Sequence, residues 1–253
     1  MSGHSKWSTI KRAKGVADAR RGQMFTQLSR EIAIAVRQGG GGDPDLNYRL
    51  RLAIDRARSR NMPMDTIERA ILRASGGGDA GEQLDEVTYE GYGPGGAAIL
   101  LHAVTPNRNR TASDVRSVFT RAGGSLGETG CVAWNFDNKG IITLEVDEDS
   151  AEEVALLAID AAAEDVQVDG GYVEIYTAPE ALEQVRKKLE GCGVGTSSAE
   201  LSMKPRSVLS LGDKEAEQTL RLLDSLEELE DVQKVYSNAD FPDQVLERYR
   251  EEG

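Results

Sequence analysis

The chain has 253 residues, and its 30 basic and 43 acidic side chains give a formal net charge of −13, with 39% hydrophobic and 5% aromatic residues. No stretch approaches the roughly 20 apolar residues that a membrane helix needs, so we expect no membrane partner. The polar, basic start of the chain lacks the apolar segment of a signal peptide, and we therefore expect a cytoplasmic protein. Two cysteines and two histidines exclude a disulfide framework and argue against a metal site, so we expect no metal and no cofactor.

The charge is divided unevenly along the chain. Residues 1–75 carry 15 basic and 7 acidic side chains, a net charge of +8, whereas residues 76–253 carry 15 and 36, a net charge of −21. A basic segment on an acidic protein is typical of phosphate recognition. The alternative is that the arginines only solvate small helices.

The basic segment predicts three helices. Apolar residues from Phe25 to Val36 recur at helical spacing and end at the glycines 39–42. Asp43 is the expected N-cap of the second helix, with Pro44 at its first position. The next two apolar stripes are Leu46, Leu50, Ala53, Ile54 and Ala57, and then Ile67, Ala70, Ile71 and Ala74. Three helices with one apolar face each predict a small bundle.

Candidate nucleic-acid contacts lie before and on this bundle. At 100° per residue, Arg49, Arg56 and Arg60 lie together beside the apolar stripe of the second helix. An N-terminal arm contributes His4, Lys6, Trp7, Lys11, Arg12, Lys14, Arg20 and Arg21. The tryptophan of this arm either stacks on a base or holds the arm against the bundle.

Strand patterns begin after residue 76. The predicted strands are 87–91, 97–104, 131–136 and 140–146, with a helix over 112–122. Residues 139–204 then show a complete βαββαβ pattern, the ferredoxin-like order. A helix over 213–229 and a strand over 232–237 follow it and need a sheet to join.

The economical architecture is α+β with three domains, because a chain of this length exceeds what one core supports. We expect an N-terminal three-helix bundle, a middle α+β domain, and a ferredoxin-like domain inserted in the middle domain. The expected boundaries are 1–76 for the bundle and its arm, 77–138 plus 206–240 for the middle domain, 139–205 for the insertion and 241–253 for a C-terminal tail.

Two loops are candidate anion sites. GYGPGG at 91–96 matches G-x-G-x-x-G, but it joins two strands, so we interpret it as a turn and not as a dinucleotide site. NRNRT at 107–111 is the better candidate, because Thr111 and Asp114 have capping-box spacing that places Arg108 and Arg110 just before a helix. Cations there oppose the helix dipole, so either a bound phosphate or an acidic residue elsewhere in the chain must offset them.

The sequence gives little support for base stacking or for catalysis. Tyr172 and Tyr176 share a face of a predicted strand, but residues 138–205 carry 5 basic and 15 acidic side chains, which argues against base stacking there. Carboxylates such as Glu227, Glu228, Glu230 and Asp231 have the pattern of a solvated charge run. No Ser, His and Asp grouping stands out. We therefore expect no catalytic residues, no enzyme activity and no small-molecule substrate.

Ordered motifs along the chain resemble those of the YebC family, which includes the mitochondrial translational activator of cytochrome c oxidase. They are GHSKW at 3–7, NMP at 61–63, YEGYGPGG at 89–96, NRNRT at 107–111, GGSLGETG at 123–130, VAW at 132–134, AEDV at 163–166 and VYSNAD at 235–240. Each motif is weak alone, and the complete ordered set is specific.

The resemblance implies the same three domains and a non-enzymatic factor of gene expression, customarily described as a DNA-binding transcriptional regulator. Translation factors at the ribosome also occur in the family, so DNA and ribosomal RNA both stay open as partners. A protein-interaction adaptor that acts through acidic faces is a further alternative. The residues expected to contact phosphates are those of the arm and the bundle named above, together with Arg108 and Arg110.

Overall fold

The computed structural model describes residues 18–76 and 84–251. The chain divides into two compact units. One unit is residues 134–208, and the other contains the described residues before 134 and after 208. Within the described ranges, no helix combines the length and apolar character needed to cross a membrane.

The N-terminal helices are α1 (Asp18–Gln38), α2 (Tyr48–Ser59) and α3 (Met64–Ala74). Their apolar faces form one core, in which Ile32, Leu50 and Ile67 are completely buried. The predicted bundle of three helices is therefore correct.

The start of α2 differs from the prediction, because Asn47 and not Asp43 is its N-cap. Asp43 instead accepts backbone hydrogen bonds from the turn that precedes the helix. The Asn47 side chain is 1% exposed and accepts a hydrogen bond from the Leu50 amide at 3.0 Å. Its own amide group donates to the carbonyls of Ala35 and Gly41, both at 2.8 Å, so one buried side chain fixes the turn between two helices.

The middle domain is built on a four-stranded antiparallel sheet of β1 (Asp85–Tyr92), β2 (Ala98–Thr105), β3 (Ser125–Leu126) and β9 (Val232–Ser237). The strand order is β3-β1-β2-β9. The helices of this domain are α4 (Arg108–Arg121) and α7 (Asp213–Glu227). Both helices pack on one face, where Ile99, Phe119 and Leu220 are completely buried. A short parallel pair, β8 (Leu209–Ser210) and β10 (Ala239–Asp240), completes the domain.

The expected strand over 131–136 is wrong. The chain there forms a loop and a short 3-10 helix, Ala133–Asn135. The reason is Glu90, whose buried carboxylate accepts the backbone N–H groups of Gly130, Val132 and Ala133 at 2.7 to 2.8 Å. Amides held by a carboxylate are not available to a strand ladder.

The expected C-terminal tail is largely helical. Helix α8 (Asp243–Glu251) places Val245 and Leu246 in the core of the middle domain, where they are 0% and 4% exposed. Residues 243–251 therefore belong to that domain.

The unit of residues 134–208 has the ferredoxin-like βαββαβ order. Its elements are β4 (Phe136–Glu145), α5 (Glu148–Asp160), β5 (Asp165–Asp169), β6 (Tyr172–Thr177), α6 (Leu182–Gly191) and β7 (Ser198–Pro205). The antiparallel sheet has the order β5-β6-β4-β7. Strand β4 starts earlier than predicted, because it pairs with β7 from Phe136 opposite Pro205. The α+β class predicted from sequence is confirmed.

Candidate nucleic-acid interface

Much of the predicted arm lies outside the described residues. This applies to His4, Lys6, Trp7, Lys11, Arg12 and Lys14, and to the side chain of Arg20. Arg21 lies on α1 and is exposed. The described residues of the candidate interface therefore belong to the bundle and the middle domain.

Helix α2 presents its arginines in two chemically different ways. Arg56 forms an ion pair with Glu31 of α1 at 3.2 Å, and both side chains are 31% exposed, so its charge is offset. Arg49 donates to the neutral Gln38 amide oxygen at 2.7 Å, and Arg58 lies against the Met64 sulfur at 3.6 Å.

Arg49 and Arg58 are both exposed, and neither contact neutralises a charge. Arg60, the third member of the predicted patch, is the C-cap of α2 and is half-buried. Sequence reasoning grouped Arg49 with Arg56, but the structure leaves Arg49 and Arg58 as the exposed cations of α2 that lack a described carboxylate partner.

The arginines of NRNRT lie inside a helix and not ahead of it. Asn107 is the N-cap of α4 and accepts from the Arg110 amide at 3.1 Å, so the predicted capping box of Thr111 and Asp114 is wrong. Arg108 and Arg110 therefore occupy the first turn of α4. The Thr111 side chain is buried and points to Asp231, which explains why it cannot cap the helix.

Asp231 is the acidic residue that offsets Arg110. One carboxylate oxygen, Oδ2, accepts from Arg110 at 2.7 Å and from the Thr111 hydroxyl at 2.6 Å. The Thr105 hydroxyl reaches the same oxygen at 3.1 Å. Oδ1 accepts from Arg30 of α1 at 2.9 Å.

The predicted solvated charge run is therefore wrong for Asp231, which is 5% exposed. Burial alone raises the pKa of Asp231. The hydrogen bonds from Thr111, Arg110 and Thr105 and the charge of Arg30 outweigh burial, so the pKa is lowered below its ordinary value. The carboxylate is charged at neutral pH.

Helix α1 docks on the middle domain through the same corner. Arg30 donates to the Glu230 carbonyl at 2.9 Å and pairs with the Glu230 carboxylate at 3.0 Å. One turn earlier, Gln27 donates to the Val232 carbonyl at 2.8 Å. Arg30 of the bundle and Arg110 of α4 consequently meet at one carboxylate, that of Asp231.

Sequence reasoning missed Arg30 and Asp231. A signal for Asp231 existed in the strand order, because β2 and β9 are antiparallel neighbours, so the start of β9 lies beside the end of β2. NRNRT follows that end of β2, and a carboxylate just before β9 is therefore within its reach. Arg30 carried no such signal, because the spacing of apolar residues on α1 does not show which face of the helix meets the sheet.

Arg108 is the more accessible of the two arginines in the first turn of α4. Its side chain is 63% exposed, and its guanidinium lies 3.8 Å from the Asp85 carboxylate. Such exposed pairs contribute little. The Arg108 side chain is therefore held less firmly than that of Arg110, which pairs with the buried Asp231.

Two features that we argued against as binding sites lie within the described residues. GYGPGG closes a tight turn between β1 and β2, in which the Gly93 amide donates to the Ala97 carbonyl at 2.8 Å. In the ferredoxin-like unit, Tyr176 is 2% exposed, and the Lys204 ammonium lies 3.5 Å from its ring centroid. That ring cannot stack on a base. In the described ranges, no group of three His, Cys, Asp or Glu side chains is arranged to hold a metal ion.

Two family models match the chain. Residues 5–77 match the TACO1/YebC protein N-terminal domain, and residues 84–239 match the TACO1/YebC second and third domain. Together they cover most of the sequence.

Similar whole proteins support the same assignment. A probable transcriptional regulatory protein of Dehalococcoides mccartyi is 54% identical over 249 residues, 98% of each chain. One from Roseiflexus castenholzii is 51% identical over 252 residues, covering 98% of this chain and 99% of the relative. The crystal structure of a conserved hypothetical protein from Aquifex aeolicus, 47% identical, superposes with a TM-score of 0.80 over 89% of this chain and 92% of that one. The chain therefore belongs to the TACO1/YebC family.

Proposed function

We propose that this protein is a non-enzymatic regulator of gene expression that binds nucleic-acid phosphates through the bundle and the first turn of α4. The regulatory role is supported by the names of relatives that match nearly the whole chain. The binding role is supported by one observation above the others: α2 carries four arginines and one aspartate, and Arg49 and Arg58 are exposed beside uncharged groups.

The expected mode of binding is electrostatic. Phosphate contacts position a protein on nucleic acid without selecting a sequence. Arg108 adds an exposed guanidinium at the N-terminal turn of α4, where the backbone N–H groups also favour an anion. Arg56 and Arg110 contribute less to phosphate binding, because each already forms an ion pair within the protein, with Glu31 and Asp231 respectively.

The test compares the removal of two arginines from α2 with the removal of two cations elsewhere on the protein. Arg49→Gln with Arg58→Gln should weaken binding of duplex DNA or structured RNA several-fold, and should reduce the logarithmic salt slope by about 0.9 per lost duplex phosphate contact. The control, Lys187→Gln with Arg248→Gln, removes two cations that are 64% and 52% exposed elsewhere on the protein.

Equal losses in the two double variants would contradict the proposed surface. Fluorescence anisotropy with a duplex DNA and a stem-loop RNA of equal charge distinguishes the two partners. A transcriptional regulator is expected to prefer the duplex, whereas a ribosome-associated factor is expected to prefer the RNA.

A further inference from the structure

The ferredoxin-like unit contains an open cleft that the nucleic-acid surface does not use. It lies between α5, the end of β4 and the turn that follows α6, and its volume is about 420 Å³. The side chains of Val146, Val154, Leu157 and Val194 contribute apolar surface to its lining. A cleft of this volume has room for one bulky side chain.

The walls of the cleft are held by backbone hydrogen bonds. The amides of Gly193 and Val194 donate to the Glu190 and Leu189 carbonyls at 2.9 and 3.0 Å, which fixes the turn after α6. Gly193 has a φ of +83°, which favours glycine at this C-terminal cap. On the opposite wall, Val154 is 5% exposed and belongs to a well-packed face of α5. The cleft is therefore formed before any partner binds.

Two carboxylates, Glu145 and Glu153, line the same cleft and leave it negatively charged. Every lysine and arginine of residues 134–208 already has another contact in the structure. The pairs are Lys139–Glu164, Arg186–Glu183, Lys187–Glu183, Lys204–Asp165, Arg206–Asp137, and Lys188 with the Asp160 carbonyl. None of them neutralises Glu145 or Glu153, so the cleft is complementary to a cation.

Apolar side chains are also exposed on α5 outside the cleft. Leu156 and Ile159 are 65% and 56% exposed. At 100° per residue, Leu156 lies about 60° and Ile159 about 120° around the helix from Glu153, on the side away from the cleft-lining Val154. These two side chains are therefore not part of the cleft.

We propose that this cleft binds a basic peptide segment of a partner protein. One bulky apolar side chain of the segment enters between Val154 and Val194, and flanking lysines or arginines pair with Glu145 and Glu153. Bulky aromatic and arginine side chains are the common anchors of such interfaces. A nucleic acid is the wrong occupant, because residues 138–205 carry 5 basic and 15 acidic side chains.

Cys192 gives this proposal a direct readout, since it is exposed and lines the cleft. The experiment measures the rate at which iodoacetamide alkylates Cys192 in the full-length protein, with Cys131 of the other unit as internal reference. The probe is the peptide Lys-Arg-Trp-Lys-Arg, and the matched control peptide is Glu-Glu-Trp-Glu-Glu. The basic peptide should slow alkylation of Cys192 alone, with a half-maximal concentration that rises with salt.

Substitutions then locate the binding site. Glu145→Gln with Glu153→Gln should weaken protection by about fivefold or more, since two rim charges are lost. The control double variant, Glu152→Gln with Glu180→Gln, removes two exposed carboxylates that do not line the cleft and should change nothing. Gly195→Leu should abolish protection with the fold intact, because Gly195 lines the cleft, a Cβ there meets no atom within 4 Å, and a leucine would take up room at the cleft wall.

Three results with the added peptides would overturn the proposal. They are equal protection by the two peptides, equal loss in the two double variants, and protection that survives Gly195→Leu. Protection of Cys192 that depends on protein concentration without any peptide would identify a second copy as the occupant and would likewise overturn it.

Discussion

The contact between the bundle and the middle domain depends on Asp231. Asp231→Asn keeps the shape of the side chain but removes the charge that faces Arg30 and Arg110. Because removing one partner of a buried ion pair leaves the other uncompensated, we expect the free energy of unfolding to fall by about 2 to 4 kcal/mol. Urea denaturation at neutral pH measures this loss.

Glu230→Gln is the matched control for that variant. Glu230 contacts the same Arg30 but is 62% exposed, so its loss should cost less than about 1 kcal/mol. The lowered pKa of Asp231 means that its stabilisation is complete above the ordinary pKa of aspartate, about 4, and is lost as the pH falls through the lower folded value. The difference between the wild type and Asp231→Asn should therefore shrink in acid, and an undiminished difference at about pH 2 would contradict the role of the charge.

A second prediction at the scale of one residue concerns the buried carboxylate of Glu90. Burial raises the pKa of its carboxyl group, but three backbone hydrogen bonds outweigh burial and lower it. In Glu90→Gln, an amide nitrogen must face a backbone N–H donor, so we expect a loss of about 2 kcal/mol or more in the free energy of unfolding.

The same substitution at Glu86 is the control for Glu90→Gln. Glu86 lies on the same strand and face but is exposed, and its substitution should be nearly neutral. Equal midpoints of urea unfolding for the two variants would show that the carboxylate does not hold the loop of residues 130–133.

At the scale of elements, the first turn of α4 separates two arginines that look equivalent in the sequence. Arg108→Glu places a negative charge at a helix N-terminus, and because the exposed pair with Asp85 that it removes contributes little, it should stabilise the protein by up to about 1 kcal/mol. Arg110→Glu places a carboxylate against Asp231 and should lower the melting temperature. Thermal unfolding of the two single variants tests this, and shifts of the same sign would show that the two side chains have equivalent surroundings.

Periodicity predicted most of the elements because their burial patterns are regular. Strand β9 has the predicted bounds, 232–237, and the ferredoxin-like order follows from alternating strand and helix patterns. The errors lie where a side chain bonds to distant backbone. Asn47 displaces Asp43 as a cap, and Glu90 takes the amides that a strand would use. Such contacts depend on three-dimensional proximity, which local spacing does not encode.

Less of the candidate site than of the fold could be predicted, because the site also depends on contacts between residues that are far apart in the sequence. The excess of arginine in the bundle is visible in the sequence, and so is the conflict between the NRNRT cations and a helix dipole. The sequence did not show whether a phosphate or an internal acid offsets these cations, because Asp231 lies 121 positions from Arg110. The structure assigns the internal acid to Arg110 and leaves Arg108 exposed.

At the scale of the whole molecule, the ferredoxin-like unit should be removable. Its two ends are adjacent, because the Arg206 amide donates to the Asn135 carbonyl at 2.7 Å. Replacement of residues 136–205 by a short Gly/Ser linker should therefore leave the rest of the chain with a cooperative urea transition. Loss of that transition would show that the remaining domains need the unit in order to fold.

The central claim is that this protein binds nucleic acid through the cations of the bundle and α4, and its salt dependence is the most direct test. We would measure the dissociation constant of the full-length protein for a duplex DNA and for a stem-loop RNA across a range of salt concentrations. We expect a linear fall of log affinity with log salt, with a slope of about −0.9 for each duplex phosphate contacted, and a shallower slope for Arg49→Gln with Arg58→Gln. An affinity independent of salt, or a slope unchanged in that variant, would contradict it.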